Sequence, residues 1–483
     1  MTDYEKLSLE IVDSVYIKIH CERSIAMELS EHFTFMVPGA KHMPAFKNKV
    51  WDGKIRLFNS RNHRIYRGLI PHIHEFAKQR GYTVEELSDF SATNFSVVEA
   101  NEFTSSLTLP FEPKYYQIDT FIHAIRNRRA LFVSPTASGK SLMIYLILRF
   151  LTGFKSLVIV PTVGLVHQME DDFRVYGLED GVVHKIFSGE EKNTNKPITI
   201  TTWQSIYKKD PEWFKQFNVV IGDEAHHFKA TSLTTIMTNL VDADYRFGFT
   251  GTLDGTETNQ LVLEGLFGPK KDVTTTATLI EQNHLSQFKI KAIVLKHPED
   301  VRVLAKNFDY RQEIEYIVQN IKRNRFIRNL ALSLQGNTLI LYQFVEKQGK
   351  CLYQIIDEKA EGRKVFFIHG KVDSSDREDV RHIVNNENDS IIVASYGTFS
   401  TGINIPRIHN VIFASPFKSK IKVLQSIGRA LRKAEDKDVA TLFDIADNMA
   451  WKSRNNLTLQ HFVERIQMYD DQKFDYKTYN VSL

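Results

Sequence analysis

Hydrophobic and polar positions divide the chain into stretches of different character. Up to residue 87 the apolar positions come in short alternating or helically spaced runs. Val15-Tyr16-Ile17-Lys18-Ile19 alternates like a half-buried strand, and Ala26 to Phe33 repeats at helical spacing. Lys54-Ile55-Arg56-Leu57-Phe58 and Arg64-Ile65-Tyr66-Arg67 alternate on either side of the polar turn Asn59-Ser60-Arg61-Asn62-His63, which predicts a hairpin. A helix near 70–80 and a strand after Gly81-Tyr82 complete a small α+β module over residues 1–87. Residues 88–110 lose periodicity, gain Ser, Thr and Asn, and end in proline, the pattern of a linker.

From 111 to about 290 short apolar runs alternate with helical segments. Ala130-Leu131-Phe132-Val133, Ser156-Leu157-Val158-Ile159-Val160, Ile198-Thr199-Ile200, Val219-Val220-Ile221 and Phe247-Gly248-Phe249 read as buried strands. Continuous apolar runs of this kind, each followed by a loop and a helix, predict a parallel sheet covered on both faces. The pattern restarts after 335 with Thr338–Tyr342, Val365–Ile368, Ile391–Val393, Asn410–Phe413 and Ala440–Phe443. The fold class is therefore α/β, with two parallel-sheet domains in tandem (111–290 and 291–455) behind the small α+β module. Residues 456–483 read as a helix and a polar tail.

Composition adds limits rather than a function. At 483 residues the chain has room for two to four domains, and 42% hydrophobic with 25% charged residues is ordinary for globular protein. A net charge of +4 leaves affinity for polyanions to local clusters. Cys21 and Cys351 fall in different predicted domains without a CxxC or His pattern, which argues against a disulfide framework or structural zinc and fits a reducing compartment. No apolar run spans a bilayer and MTDYEKLSLE is no signal peptide, so an intracellular, cytoplasmic protein is expected.

Three stretches carry the chemistry. Ser134-Pro135-Thr136-Ala137-Ser138-Gly139-Lys140-Ser141 lies between a buried strand and a helix, the context of a phosphate loop. Backbone N–H groups there attract phosphate oxygens, Gly139 leaves room for the approach, Lys140 reaches the outer phosphates and the Ser141 hydroxyl can ligand magnesium. Ser134 replaces the first glycine of GxxxxGK[ST]. Asp223 and Glu224 end a buried strand, where an open parallel sheet places ligands. Asp223 would hold Mg2+ and Glu224 would orient or deprotonate the attacking water, a second contact to the metal site. Gln117 is placed to read the adenine edge with its amide. Gln425, Arg429 and Arg432 share one face of a predicted helix, and their guanidiniums suit charge on a transferred phosphoryl group. Gly428 in that helix costs stability and predicts close approach of another surface.

SPTASGKS, DEAH at 223–226, Thr250-Gly251-Thr252, Ser400-Thr401-Gly402 and QSIGRALR at 425–432, in this order, resemble the superfamily two DEAH-box helicases over about residues 111–450. More narrowly, WDGKIRLF at 51–58, VASYGTFSTGI at 393–403, KSKIKVLQSIGRALRK at 418–433 and ERIQMYDDQKFDY at 464–476 resemble the UvsW-type recombination helicases of phages. The resemblance implies two RecA-like domains enclosing ATP, with Gly402 and Gln425 among the nucleotide contacts. It implies that Thr162, Thr202, Trp203 and Thr401 face a nucleic-acid backbone, and that Thr250 and Thr252 couple hydrolysis to movement. It further implies action on branched DNA, on single-stranded/duplex junctions and on RNA–DNA hybrid; a monomer with no membrane partner is expected.

Between 41 and 67 stand Lys41, Lys47, Lys49, Lys54, Arg56, Arg61, Arg64 and Arg67 against the single acid Asp52, with Phe46, Trp51, Phe58 and Tyr66 interleaved. Such charges release counterions on binding phosphates, so a DNA footprint is expected here, with the aromatics in the core. The rival readings are a translocase that moves on duplex without separating strands, a non-catalytic nucleic-acid-binding protein and a small-molecule kinase. The first shares every motif named; the other two leave the acid pair or the second-domain arginines without a task.

Overall fold

The computed structural model describes residues 5–483 apart from 188–193, 229, 254, 371, 373–379, 381–382, 385, 403–404, 406 and 434–436. The chain divides into two compact units, Met1–Ser134 with Gly139–Val273, and Pro135–Ser138 with Thr274–Leu483.

The first unit begins with strands β1 (Lys6–Ile11) and β2 (Tyr16–His20), the short pair β3 (Thr34–Met36) and β4 (Lys54–Arg56), then β5 (Arg64–Tyr66) and β6 (Thr83–Glu86). One mixed sheet has the order β5-β2-β1-β6, and β3 pairs with β4 in a separate ribbon. The hairpin expected between 54–58 and 64–67 is present at its tip, where Asn59 and Arg64 form an antiparallel bridge, and is corrected beyond it. The turn is real, since Asn59 and Asn62 side chains accept the N–H groups of Arg61 and Arg64. Its two arms nevertheless part, β4 pairing antiparallel with β3 and β5 with β2. Alternation specifies a strand's faces but not its partner.

Strands β7 (Arg129–Val133), β8 (Ser156–Val160), β9 (Val183–Ile186), β10 (Ile198–Thr202), β11 (Val219–Asp223), β12 (Tyr245–Thr250) and β13 (Lys270–Asp272) follow. Among the described residues they form a seven-stranded parallel sheet, β13-β7-β12-β11-β8-β10-β9. Alternate side chains feed two cores. Phe132, Val158, Ile221 and Phe247 pack with the helices Tyr115–Asn127, Lys140–Phe150 and Val163–Val175. Leu131, Leu157 and Val220 join a core that runs through the helices Thr231–Asn239 and Glu257–Phe267 into Leu7, Ile17, Ile73 and Phe76 of the amino-terminal module. The stretch expected as a linker, 88–110, contains the helix Val97–Ser105, opened by a capping box of Ser96 and Glu99. Phe95 and Phe103 from this stretch pack on Phe121 and Phe150.

In the second unit β14 (Gln287–Lys296), β15 (Thr338–Tyr342), β16 (Val365–Ile368), β17 (Ile391–Ser395), β18 (Asn410–Phe413), β19 (Val439–Asn448) and β20 (Tyr476–Ser482) form a second seven-stranded parallel sheet among the described residues, β16-β17-β15-β18-β19-β14-β20. The carboxyl-terminal segment is thus more than a helix and tail. After the helix Leu457–Asp471 the chain returns as β20, paired with β14 from Ile290 to Lys296. Among the described residues no helix is long and apolar enough to cross a membrane.

Candidate nucleotide and nucleic-acid site

The motifs of the first unit gather at one edge of its sheet. Ser134 directly follows β7, Thr162 follows β8 by two residues, and Thr202, Asp223 and Thr250 are the last residues of β10, β11 and β12. In a parallel sheet this is the carboxyl edge, where crossover loops leave space for a ligand.

The phosphate loop is held from both sides. The Ser134 N–H donates to the Thr250 carbonyl at 2.8 Å, and the Lys140 ammonium donates to the Ser134 carbonyl at 3.3 Å. Gly139 caps the helix Lys140–Phe150 in the left-handed region (φ +82°), and Ala137 adopts φ +67° without being glycine. Gln117 is buried, its amide oxygen accepting the Lys114 N–H at 2.8 Å, and its Nε2 occupies the space that a Cβ on Gly139 would take. The glutamine therefore lies against the expected phosphate loop. The Ser141 hydroxyl shares a hydrogen bond with the Tyr176 hydroxyl at 3.0 Å.

Asp223 is 9% exposed and accepts the Glu224 N–H at 2.9 Å, while Glu224 itself is held at φ +50°. A non-glycine residue in that region is strained, as functional residues often are. His226 approaches the Glu224 carboxylate at 3.4 Å and shares a hydrogen bond with the Thr250 hydroxyl at 3.0 Å; that hydroxyl donates to the Thr252 carbonyl at 3.1 Å. The carboxylate expected at the water is thereby linked to the Thr-Gly-Thr motif. Sequence reasoning assigns His226 no task. Its place inside DEAH is the available signal, but its partner lies 24 residues away.

Within the second unit, Gln425 and Arg429 lie on the helix Lys420–Ala430, and Gln425 is buried. Arg432 lies beyond that helix, so the expectation of three residues on one helical face is corrected. The Arg432 carbonyl instead accepts the Ser286 hydroxyl. A Cβ on Gly428 would fall 2.6 Å from the Cβ of Thr136, a loop residue that belongs to this same unit, so the glycine permits a close approach. Thr401 and Gly402 end the helix Tyr396–Gly402, and the Thr401 side chain lies outside the described residues.

Comparison with known proteins accords with this layout. The amino-terminal family of the DNA helicase UvsW matches residues 6–86, the family of the type III restriction enzyme res subunit matches 110–255, and the helicase conserved carboxyl-terminal domain matches 321–434. The ATP-dependent DNA helicase uvsW of Enterobacteria phage T4 is 34% identical over 503 residues, covering 98% of each chain. The chain belongs to the UvsW family of superfamily two helicases. The crystal structure of T4 UvsW aligns over 99% of each chain with a TM-score of 0.53 and 32% identity. The DNA-bound restriction-modification enzyme LlaBIII shares the fold alone, at 16% identity and TM-score 0.58 over 86% of this chain and 36% of its own. As a UvsW-family member the protein is an ATP-hydrolysing helicase, and its two sheets are tandem RecA-like domains.

The expected nucleic-acid contacts of this UvsW-family chain vary in access. Thr162 caps the helix Val163–Val175, and Thr202 is buried with its hydroxyl on Ser205. Trp203 is half-buried beside Tyr207, against the core that continues into the amino-terminal module. In the amino-terminal module Lys41, Lys47, Lys49, Lys54, Arg56, Arg61 and Arg64 are exposed. Arg56 pairs with Asp52 at 2.5 Å; that hydrogen bond and the Lys54 N–H pull the Asp52 carboxyl down to about 2. Arg67 stands apart. It is half-buried and paired with Asp244 of the first RecA-like domain at 3.1 Å. Phe58 is core, and Tyr66 stacks on Tyr16.

Proposed function

We propose that the protein unwinds and branch-migrates branched DNA, including forks, four-way junctions and RNA–DNA loops, in phage recombination, repair and replication within the host cytoplasm. The observation that carries the reading is the gathering of the phosphate loop, acid pair and Thr-Gly-Thr motif at one sheet edge, in a chain similar along its whole length to a DNA helicase of phage T4. Lys140 binds the outer phosphates of ATP, Ser141 and Asp223 hold Mg2+, and Glu224 orients the attacking water. Arg429 and Arg432 stabilise the charge spread over the transferred phosphoryl oxygens, while Gln117, Gly402 and Gln425 fix the nucleotide. Thr162, Thr202, Trp203 and Thr401 track the strand, and the exposed lysines and arginines of the amino-terminal module grip duplex near the junction.

Lys140→Ala should abolish turnover. Arg429→Ala should keep nucleotide binding and lower DNA-stimulated hydrolysis by about 10³-fold or more; hydrolysis at the parental rate would remove the arginine from the mechanism. Strand displacement on forks, four-way junctions and RNA loops with both tail polarities tests the substrate class. The match to the type III restriction res family favours a second reading, translocation on duplex without strand separation. Triplex displacement without unwinding of any branched substrate would select it.

A further inference from the structure

The carboxyl edge of the first sheet leaves unused a cavity of about 430 Å³ elsewhere in the same unit. Its size lies within the roughly 300–1,000 Å³ of small-ligand sites. One wall is the start of the helix Glu257–Phe267, which follows the Thr-Gly-Thr motif and contributes Glu257, Gln260 and Leu261. The other wall is the amino-terminal module, which contributes His32, Phe35 and His72.

Two polar lining residues are held from behind by Glu264. Glu264, 3% exposed, meets His72 at 2.6 Å and accepts the Gln260 amide N–H at 2.6 Å. Both neighbours are thereby fixed in orientation, and the Gln260 amide keeps its carbonyl oxygen as an acceptor for another group. Burial, with Arg80 and His72 nearby, holds the His32 imidazole below its ordinary value.

Phe35, half-buried, is the apolar face of the pocket and sits in the middle of β3. Opposite it in the ribbon is Ile55, flanked on β4 by exposed Lys54 and Arg56, which pair with Met36 and Thr34. Lys54 and Arg56 therefore face the other side of the ribbon from Phe35, and an aromatic inside a groove is a surface on which an unpaired base stacks. The sign of charge inside decides which part of a nucleotide enters. The Glu257 carboxylate in the lining repels phosphate, whereas it and the Gln260 amide oxygen can accept the exocyclic amines of adenine, cytosine or guanine.

We propose that this pocket receives one unpaired nucleobase of the bound DNA, stacked on Phe35 and held at its edge by Gln260 and Glu257. The proposal rests on the reading of the amino-terminal module as a DNA grip, and it places a strand-separation contact beside the helix that follows the Thr-Gly-Thr motif.

The test measures affinity of the full chain for a fork whose unpaired arm carries one abasic nucleotide, moved along position by position. The parent, Phe35→Ala, Gln260→Met and a Lys47→Glu/Lys49→Glu/Lys54→Glu variant are compared. One abasic position should weaken the parent by about tenfold, the scale of one base–aromatic stack, and should cost Phe35→Ala and Gln260→Met less than about twofold. Gln260→Met, which keeps the side chain's length, decides the matter if Phe35→Ala folds poorly. No sensitive position in the parent, or equal sensitivity in the parent and both variants, overturns the pocket. The charge variant should bind every fork more weakly while keeping the same sensitive position; full affinity there would sink the grip reading on its own.

Discussion

Asp447, enclosed in the second unit, receives the Arg323 guanidinium at 2.8 Å and His297 at 2.9 Å, with the carboxylate and guanidinium fully buried. Burial alone would push this carboxyl up, but Arg323 and His297 outweigh it and hold it below the usual range. Removing one partner from such a cluster leaves a buried charge uncompensated, which costs far more than the pair contributes as a whole. Arg323→Met should therefore destabilise the second unit by about 3 kcal/mol, read as a fall in its urea midpoint. The pH dependence has a fixed sign. Because the folded carboxyl is more acidic than the unfolded one, its stabilisation is complete above about pH 4 and is lost as pH falls through the folded value. Asp447→Asn should flatten that acid limb, and an unchanged limb would assign it to other carboxylates.

At the scale of elements, β20 is the clearest case of structure that local pattern conceals. Its residues are mostly exposed, because an edge strand is covered on few sides, so YKTYNVS lacks the apolar run that marks the central strands. Its strength lies in seven paired positions along β14 and in Val481 and Leu483 against the core, with the Leu483 N–H closing on Lys296. Deleting residues 476–483 should expose the backbone of β14 as an unpaired edge, giving concentration-dependent association in sedimentation runs and a lower melting point for the second unit. A truncated chain that stays monomeric and equally stable would reduce β20 to decoration. The same contrast explains what is legible in the sequence. Ser134 to Ser141 and the Asp223-Glu224 pair are contiguous residues at the ends of continuous apolar strands, so their place at the sheet edge can be read. The parting of the arms at 59–63 and the burial of Arg67 depend on partners far along the chain. Ser96 and Glu99 differ again: their capping-box spacing is readable, and the polar composition around it obscures the helix.

Over the whole first unit, the amino-terminal module is fused to the RecA-like domain behind it. A Cβ on Gly68 would overlap the Glu264 carbonyl, and one on Gly265 would fall 2.9 Å from the Tyr66 ring, so two backbones meet with no room for side chains. Ser14 and Arg67 both bond Asp244, and the Arg129 guanidinium donates to the Ser14 carbonyl. With a core continuous across the junction, module and domain should melt together. Gly265→Ala should lower that shared transition by about 1–3 kcal/mol through overpacking, and two separate transitions would contradict the fusion. This docking sets Arg67 apart from the exposed members of a cluster of cations that looks uniform in the sequence. Every phosphate that a side chain ceases to neutralise reduces the slope of log affinity against log salt by about 0.9 for duplex DNA. Lys47→Ala, Lys49→Ala and Lys54→Ala, on exposed side chains, should each flatten the slope by about that amount while leaving the melting point in place. Arg67→Ala should do the reverse, since its guanidinium is already engaged with Asp244: the slope should hold and the shared transition should fall. Measuring both quantities for the four variants distinguishes residues that grip DNA from the one that fastens the grip to the motor, and a flattened slope with unchanged melting for Arg67→Ala would return it to the DNA face.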